Sequence, residues 1–335
     1  MENDKIDFVL IWVDGSDPKW LEEKAKYSDN PNSALNSAKR YRDWDLLRYW
    51  FRGVEKFAPW VNNIYFITCG HYPKWLNLNH PKLKFTKHED YIPKEYLPTF
   101  NANPIELNFH RIKELSEKFI FFNDDFFVTN YISKEDFFIN DKPRYIACCD
   151  IIHSEDYKDS FPHILVNDVS ILNQYYNKKE VIKKDFGKWF HLKYGLKLLM
   201  KNISMLSYNR FSNLYEPHIA VPLLKSTIQE VWKKEEEILD KTSRNKFRGR
   251  EDVNQYIFKW YDIGRGNYEP SNKIGKYFDI YGEKDLLLKD IVNQKHKLIC
   301  FSDDERINFE MTKEEVRSAF EKILPNKSCY EKEME

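Results

Sequence analysis

Apolar and polar positions along the chain predict strands and helices that follow one another in turn. Ile6 to Val13 (IDFVLIWV) is an apolar run of strand length that only Asp7 interrupts, which is typical of a strand buried on both faces. Between Asp43 and Lys56 the apolar residues recur at helical spacing, which predicts an amphipathic helix. The pattern as a whole predicts strands at residues 6–13, 64–68, 83–86 and 119–122 and helices at residues 43–56 and 105–118.

This order of elements indicates an α/β fold. Strands and helices alternate through mostly short connections, which is typical of a Rossmann-like, mostly parallel sheet with its ligand site at the carboxyl ends of the strands. The second half is less regular: residues 145–149 suit a strand, and residues 173–208 and 221–239 suit helices. We therefore expect a single domain. Its predicted parts are an α/β core at 1–150, a helical region at 151–270 and a C-terminal segment at 271–335 that packs on the core.

Composition and charge narrow the class of protein. The 335 residues include 53 Lys and Arg against 53 Asp and Glu, so no net field favours nucleic acid, and we expect no nucleic-acid partner. The five cysteines are odd in number and lack zinc-site spacing, which favours a reducing cytoplasm over a disulfide framework. The charged N-terminus leads directly into a strand, so we expect no signal peptide. No apolar run approaches the roughly 18 residues of a membrane span, which predicts a soluble or peripheral protein.

The most informative segment runs from Lys118 to Phe127. An aromatic strand, FIFF, leads directly into Asn123, Asp124 and Asp125. Adjacent carboxylates repel each other unless a cation or strong donors neutralise them. From this position in the sheet, α/β enzymes present a divalent metal to a phosphate. The segment therefore predicts a site for Mg²⁺ or Mn²⁺, and the alternative is an ordinary acidic turn.

Asp14 and Gly15 follow the first strand. A glycine here allows a ligand to approach the backbone, and the carboxylate can accept a hydrogen bond from a ribose or a base. These two residues are candidates for nucleotide binding. An ordinary Asp-Gly turn has the same sequence, so the pair alone leaves both interpretations open.

Arg40 and Arg42 precede the helix predicted to begin near Asp43. Two guanidinium groups beside a helix N-terminus suit a diphosphate. Surface ion pairs with Asp45 or Glu55 are the simpler alternative for the arginines. Asp43 itself is either a helix N-cap or a residue of the site.

The junction from Leu97 to Arg111 is unusually rich in polar side chains, among them Asn101. Glu106 and His110 lie four residues apart, so a helix would place them on one face. Such a pair can bind a metal or a sugar, and more often it forms a structural hydrogen bond. The position of the junction before the FIFF strand makes Asn101, His110 and Arg111 candidates for cofactor binding.

His218 and Arg248 are the candidates in the second half. His218 follows Pro217 at the entry to a predicted helix, where an imidazole can act as a general base or contact a phosphate. Arg248 begins an Arg-Gly-Arg-Glu-Asp run that comes after that helix. An exposed turn has the same composition, so the residues alone leave both roles open.

Four segments together resemble the Stealth family, which includes bacterial capsular-polysaccharide phosphotransferases and the enzyme that makes the mannose-6-phosphate tag of lysosomal hydrolases. They cover somewhat over a quarter of the chain in the order of the family, and their combination is highly specific. The segments are IDFVLIWVDGSDPKW (6–20), RYRDWDLLRYWFRGVEKFAPWVNNIYFITCGHYPKWL (40–76), LPTFNANPIELNFHRIKELSEKFIFFNDDFFV (97–128) and YEPHIAVPLLK (215–225).

The resemblance implies a glycosyltransferase-A-like core and three catalytic residues. Asp43 matches a position where the family has an essential carboxylate. His218 and Arg248, thirty residues apart, match a catalytic His and a catalytic Arg. The residues that flank Arg248 are only loosely similar to the family pattern.

The resemblance also implies a metal site and a nucleotide site. Asp124 and Asp125 match the acidic pair of the family, which is the expected site of Mg²⁺ or Mn²⁺. Asp14 and Gly15 match the turn on the nucleotide side. The chain departs from the family at Cys69–His71, where many relatives have a Thr-Asp/Asn-Gly-Gln-like turn.

The implied reaction is the transfer of a hexose-1-phosphate, expected to be N-acetylhexosamine-1-phosphate, from a UDP-sugar to a hydroxyl of a capsular or cell-surface polysaccharide or lipid-linked glycan, with release of UMP. Such a reaction needs charge neutralisation on the phosphates, for which Arg42 and Arg111 could assist. Two alternatives remain open. A conventional metal-dependent glycosyltransferase would release UDP, and a non-catalytic carbohydrate-binding protein could stack sugars on surface aromatics such as Trp75 and Trp189.

Segments outside the resemblance bear on the acceptor and the location. Residues 129–213 resemble no family block, so we expect acceptor choice to be decided there. We expect a cytoplasmic enzyme that is peripheral at the inner face of the cell membrane and contacts the membrane-bound capsule machinery.

Overall fold

The computed structural model describes residues 4–28, 42–154 and 156–333. These residues form thirteen strands and twelve α-helices, which short 3₁₀ turns connect. The strands are β1 (Ile6–Ile11), β2 (Ile64–Thr68), β3 (Leu83–Lys87), β4 (Lys118–Phe122), β5 (Phe126–Val128), β6 (Phe138–Ile139), β7 (Lys142–Tyr145), β8 (Cys149–Asp150), β9 (Asn213–Leu214), β10 (Val221–Leu224), β11 (Glu269–Pro270), β12 (Gly275–Asp279) and β13 (Leu298–Ser302). The helices are α1 (Pro18–Tyr27), α2 (Leu47–Phe57), α3 (Ala102–Leu107), α4 (Phe161–Tyr175), α5 (Lys178–Lys184), α6 (Phe186–Trp189), α7 (Leu196–Met205), α8 (Lys225–Lys234), α9 (Glu236–Arg244), α10 (Tyr256–Arg265), α11 (Ile280–Asn293) and α12 (Phe309–Ile323).

The central sheet has five strands in the order β10-β4-β1-β2-β3. The pairs β4–β1, β1–β2 and β2–β3 are parallel, and only the edge strand β10 runs antiparallel to its neighbour β4. The prediction of an α/β fold with a mostly parallel central sheet is confirmed. Within the described part of the chain, no helix has both the length and the apolar character that a membrane crossing requires.

Alternation of side chains across β1 divides the core into two layers. Val9 packs with the helices of the second half, whereas Phe8 and Leu10 pack with α2 and the C-terminal elements. The polar interruption in β1, Asp7, is fully buried. Its carboxylate accepts hydrogen bonds from the Asn62 side chain and from the backbone N–H groups of residues 63 and 116, at 2.7–3.0 Å. Asp7 therefore joins the segments that precede β2 and β4.

Two antiparallel pairings bring distant loops to the carboxyl edge of the sheet. Because β10 runs opposite to β4, with Val221 beside Phe121, the residues that precede β10 lie near those that follow β4. In a second sheet, β13 pairs antiparallel with β5, and Cys300 lies beside Phe126. Segments from three parts of the chain therefore meet around residues 123–125.

Two helix predictions in the first half need correction. The helix expected at 43–56 begins only at Leu47, because Asp45 adopts a left-handed conformation with a φ of 53°. The helix expected at 105–118 ends at Leu107 and is followed by a 3₁₀ turn. There, the Asn108 side chain donates a hydrogen bond to the Pro104 carbonyl at 2.8 Å and competes with helix continuation.

Predictions for the second half differ from the structure in extent, and one of them is wrong in type over its first four residues. The strand expected at 145–149 is split between β7 and β8, because the Asn202 side chain bonds the Ala147 carbonyl and the Cys149 N–H at 3.0 and 2.8 Å. The helix expected at 221–239 begins as the edge strand β10 and continues as α8 and α9. Residues 173–208 are mostly helical, in α4 to α7.

Candidate active site

A cleft of about 550 Å³ opens at the carboxyl ends of β1, β2 and β4. This is the position at which open α/β sheets bind their ligands. Seven of the eleven predicted site residues line it: Arg42, Asp43, Asn101, Asp124, Asp125, His218 and Arg248.

Asp124 and Asp125 lie at the base of the cleft directly after β4. Protein atoms enclose the Asp124 carboxyl, although it remains open to the cleft, and this partial desolvation raises its pKa to about 8 with help from the charges of Asp125 and Asp43. Burial also raises the pKa of Asp125, against the influence of His218. The charge of Asp125 acts on the Asp124 carboxyl, and a bound cation would relieve the repulsion between the two carboxylates.

The donors at the base of the cleft fit a divalent cation. One buried carboxylate oxygen of Asp125, Oδ1, has no hydrogen-bond partner in the described structure. Carboxylate oxygens of Asp124 and Asp125 are the ligands that Mg²⁺ and Mn²⁺ prefer. One donor atom each from Asp125, His218 and Cys300 also lie within 4.8 Å of one another, and a softer ion would suit that set.

His218 reaches the cleft from the segment before β10. Its backbone is left-handed, with a φ of 50°, a conformation that costs about 1–3 kcal/mol for a residue with a side chain. The rings of Phe126 and Tyr277 form T-shaped contacts with its ring, at centroid distances of 5.3 and 5.4 Å. The Tyr256 hydroxyl lies 3.4 Å from Nδ1. Packing on three sides therefore fixes the imidazole beside Asp125.

Asp43 is not the N-cap of α2. The helix starts four residues later at Leu47, and its N-cap position has no side-chain hydrogen bond. Instead, the Asp43 carboxylate accepts a hydrogen bond from the Asp45 N–H at 2.8 Å. The side chain is exposed at the cleft, and the surrounding protein atoms raise its pKa, as do the charges of Asp45 and Asp14, against the hydrogen bond from the Asp45 N–H. The N-cap interpretation is wrong, and the carboxylate is available to a ligand.

Arg248 lies on a loop that the fully buried Asp252 holds in place. The Asp252 carboxylate accepts hydrogen bonds from Asn101 Nδ2, Asn103 Nδ2 and the Gly249 N–H at 2.9–3.1 Å. Its other oxygen accepts a 2.6 Å hydrogen bond from the side chain of residue 245. The Asn101 amide thus supports the loop and caps α3, and it does not project free into the cleft.

Arg42 is paired with Asp303. Its Nε donates to Asp303 Oδ2 at 2.7 Å, and its Nη2 donates to Oδ1. The guanidinium carbon lies 4.0 Å above the ring centre of Phe309. The partner therefore comes from the segment after β13 and not from Asp45 or Glu55. Arg40 lies outside the described residues.

Asp14 and Gly15 are beside the cleft but are not among the residues that line it. The Asp14 carboxylate accepts hydrogen bonds from the N–H and hydroxyl of Ser16 at 2.9 and 2.6 Å, as in an ordinary turn. Its N–H donates to His71 Nε2 at 2.8 Å. His71, in the segment that departs from the family pattern, thus supports the turn after β1.

His110 and Arg111 lie outside the cleft. The expected shared helix face with Glu106 is wrong, because α3 ends at Leu107. The His110 ring and the Arg111 guanidinium both pack on Trp232, at 5.5 and 4.9 Å. Glu106 does line the cleft, where burial raises the pKa of its carboxyl to about 8.

Sequence reasoning did not identify Asp252, Cys300 and Asp303. Asp252 ends the Arg-Gly-Arg-Glu-Asp run, so its proximity to Arg248 was visible, but its partners were not. Cys300 and Asp303 have no local signal, because only the pairing of β13 with β5 brings Cys300 beside Asp125 and Asp303 to the cleft. One proposed sugar-stacking residue, Trp189, is fully buried and therefore is not on the surface.

Two family models match the chain. Stealth protein CR1, conserved region 1, matches residues 4–31, and Stealth protein CR2, conserved region 2, matches residues 40–145. The second match spans both the second and the third of the four segments identified in the sequence.

Curated relatives match almost the full length of the chain. It is 45% identical over 333 residues to a capsular polysaccharide phosphotransferase WcwK of Streptococcus pneumoniae, covering 98% of the chain and 99% of the relative. It is 40% identical to the receptor polysaccharide phosphotransferase WefC of Streptococcus oralis, with 98% and 99% coverage. It is 36% identical to the exopolysaccharide phosphotransferase cps2G of Lactiplantibacillus plantarum, with 98% and 96% coverage. The chain therefore belongs to the Stealth family and is a phosphotransferase enzyme.

Proposed function

We propose that this enzyme transfers a hexose-1-phosphate from a UDP-sugar to a hydroxyl of a cell-surface or capsular polysaccharide and releases UMP. The acceptor class follows the names of the full-length relatives, which are polysaccharide phosphotransferases. The donor class is our inference from the cleft. N-acetylhexosamine is the first sugar to test.

One observation carries the proposal: two carboxylates, an imidazole and a guanidinium from distant parts of the chain converge on one cleft. Asp124, Asp125, His218 and Arg248 all line it. Phosphoryl transfer depends on positioning and charge neutralisation, and this set of groups offers both. The location at the carboxyl edge of a parallel sheet is compatible with a glycosyltransferase-A-like nucleotide-sugar site.

The reaction would proceed by attack of the acceptor hydroxyl oxygen on the β-phosphorus of the donor. A new oxygen–phosphorus bond forms, and the bond from that phosphorus to the oxygen bridging the two phosphates breaks. UMP departs with the bridging oxygen. The anomeric bond stays intact, so the sugar keeps its configuration.

Residues of the chain would manage the charge and the proton. Arg248 donates hydrogen bonds to phosphate oxygens, while Asp252 keeps its loop in place. Asp43 or His218 takes the proton of the attacking hydroxyl, and both line the cleft. Arg42 would help to neutralise the phosphates from the wall of the cleft, where its guanidinium is paired with Asp303.

Asp124 and Asp125 would hold Mg²⁺ or Mn²⁺, since their oxygens fit such a cation. The metal would supply positive charge to neutralise the diphosphate. The unpartnered oxygen of Asp125 and the charge of Asp125, which helps to raise the pKa of Asp124, support this assignment.

The nucleotide product tests the proposal. Purified enzyme is incubated with UDP-N-acetylglucosamine or other UDP-sugars, Mg²⁺ and a capsule oligosaccharide, and UMP is separated from UDP. We expect UMP that disappears when EDTA is added. Release of UDP would indicate a conventional glycosyltransferase, and absence of both products with every UDP-sugar would overturn the donor assignment.

We also propose that the reaction takes place on the cytoplasmic side of the cell membrane. All five cysteines are unbridged, which suits a reducing compartment. Fractionation of cells, with protease added to intact cells, would test this location. Degradation of the enzyme by external protease would contradict it.

A further inference from the structure

Helix α7 has two apolar faces, and only one of them packs on the protein. Leu198 and Met205 are buried on one face together with Asn202. On the opposite face, Leu196 and Ile203 are 76% and 49% exposed. Residues 196, 200 and 203 recur at helical spacing, so this face forms a continuous apolar stripe on the surface.

Exposed apolar residues continue beyond the helix. Leu192, which precedes α7, is 84% exposed, and Phe186 in α6 is 59% exposed. In the part of the chain that the structure describes, no element covers these side chains. Large apolar side chains grouped in this way mark an interaction surface more often than scattered ones do. We call the surface formed by Phe186, Leu192, Leu196, Met200 and Ile203 the α7 surface.

Lysines surround the α7 surface. Residues 178–206 contain eight lysines and two acidic residues, although the whole chain has a net charge of zero. Lys183, Lys184, Lys193 and Lys197 are exposed. Lys184, Lys188 and Lys193 line one depression together with Asp185 and Glu269, so the lysines of α5 and of the turn before α7 lie close to one another. Lys188 and Lys201 are already engaged with the protein.

The helix is held firmly on the core. The buried Asn202 side chain donates to the Ala147 and Trp189 carbonyls at 3.0 and 2.8 Å and accepts from the Cys149 N–H at 2.8 Å. The exposed apolar stripe therefore belongs to the folded structure and is not the result of a loosely packed helix.

We propose that the α7 surface docks on an anionic lipid bilayer. An apolar stripe flanked by lysines is the pattern by which an interfacial helix lies in a membrane surface, with apolar residues among the acyl chains and cations at the headgroups. Lysines near such a surface gain attraction to anionic lipids. A protein partner would need a matching acidic surface with an apolar centre, whereas a bilayer of anionic lipids offers both properties over any area. Docking of this kind would hold the enzyme where a membrane-associated glycan is made.

Vesicle co-sedimentation of the full-length enzyme tests the proposal, and it needs neither donor nor acceptor. We expect the protein to sediment with vesicles of equal parts phosphatidylglycerol and phosphatidylcholine, and to remain in solution with phosphatidylcholine alone. Because the test does not measure transfer, its outcome is separate from that of the proposed function.

Paired variants distinguish the α7 surface from a general effect of exposed residues. Leu192→Ser with Leu196→Ser should reduce vesicle binding by at least about tenfold, as should Lys193→Glu with Lys197→Glu. The control combines Leu286→Ser with Lys289→Glu on α11, where Leu286 is 54% exposed, and it should bind as the unchanged enzyme does. Circular dichroism and thermal unfolding establish that each variant is folded.

Three results would overturn the proposal. The first is failure of the enzyme to bind anionic vesicles. The second is binding of the α7 variants that equals binding of the control. Alternatively, sedimentation velocity would show self-association that the α7 variants abolish, and the surface would then be an interface between two copies of the chain.

Discussion

Asp252 accepts a hydrogen bond of 2.9 Å from the side-chain amide of Asn101, although 151 residues separate the two in the sequence. This contact joins the loop of Arg248 to the segment that begins α3. Both segments line the cleft, so the position of Arg248 depends on a buried carboxylate that does not itself line it.

Replacement of this carboxylate should affect both stability and turnover. Asp252→Ala leaves the amides of Asn101 and Asn103 and the Gly249 N–H without their acceptor, which should lower the free energy of unfolding by about 3 kcal/mol or more. The loop of Arg248 should then be displaced, and kcat should fall. Urea unfolding and steady-state kinetics provide the two measurements.

The neighbouring Glu251 is the matched control for Asp252. It is exposed and forms an ion pair with Lys241. Glu251→Ala should change the unfolding free energy by less than about 0.5 kcal/mol and leave kcat unchanged. Equal effects from the two variants would contradict the positioning role of Asp252.

Asp125 offers a test of metal binding that does not depend on activity. A cation that binds only the folded state raises its stability by about 2.7 kcal/mol at one hundred times the dissociation constant. Mg²⁺ should therefore raise the melting temperature of the unchanged enzyme but not that of Asp125→Asn. In metal-free buffer the variant should be at least as stable as the unchanged enzyme, because it replaces a carboxyl group whose charged form burial disfavours.

Asp285→Asn, on the exposed side of α11, is the control for that measurement. It should respond to Mg²⁺ as the unchanged enzyme does. An equal Mg²⁺ response in Asp125→Asn would exclude Asp125 from the cation site.

The acidic pair shows how much of the site can be predicted from local sequence. The aromatic strand β4 and the carboxylates after it are adjacent in the chain, so the apolar pattern alone places Asp124 and Asp125 at the carboxyl edge of a sheet. Asp303 could not be predicted in the same way. It comes to the cleft because β13 pairs with β5, and the chain between these strands contains most of the second half.

Helix boundaries were less predictable for a related reason. The apolar residues of α2 recur clearly at helical spacing, yet the left-handed Asp45 delays the start of the helix to Leu47. Asp43 therefore lies at the cleft and not in the helix. β10 is apolar enough to suit a helix or a strand, and its pairing with β4 decides between them. That pairing also explains why His218 lies beside Asp125. The resemblance to the family indicated a catalytic role for His218, but only the antiparallel edge strand β10 accounts for its position.

The pair of Arg42 and Asp303 should behave as one unit. Arg42→Lys loses the two parallel hydrogen bonds that a guanidinium forms with a carboxylate, and Asp303→Asn weakens the same contact from the other side. Each variant should raise KM for the donor, and the double variant should add little to the larger single effect. Additive effects in this double-mutant cycle would show that Arg42 contacts the donor independently of Asp303.

Asp43 and His218 compete for the role of general base. Asp43→Asn and His218→Ala should each lower kcat by at least about 10²-fold and leave the protein folded. In the variant that lacks the base, the acidic limb of the pH–rate profile should also disappear. Asp45→Asn is the matched control, because it lies two residues away and Asn tolerates the left-handed conformation. A folded double variant with normal turnover would remove both residues from the mechanism.

The pH dependence of stability should report the buried Glu106. Burial raises its pKa to about 8, and Arg248 only partly opposes this shift, whereas a Glu in an unfolded chain has a pKa of about 4.3. Between these two values the folded protein retains a proton that the unfolded chain has released. The contribution of Glu106 to stability is therefore full below about pH 4 and is lost as the pH rises through about 8.

Glu106→Gln keeps the shape of the protonated side chain and does not titrate, so it should gain stability relative to the unchanged enzyme from pH 5 to pH 8. We expect this gain to be on the order of 2–4 kcal/mol in urea unfolding. Glu89→Gln, at an exposed position, should show no such gain. If the profiles of Glu106→Gln and the unchanged enzyme ran parallel across this range, Glu106 would be ionised in the folded protein, and its charge would then contribute to the field around Arg248.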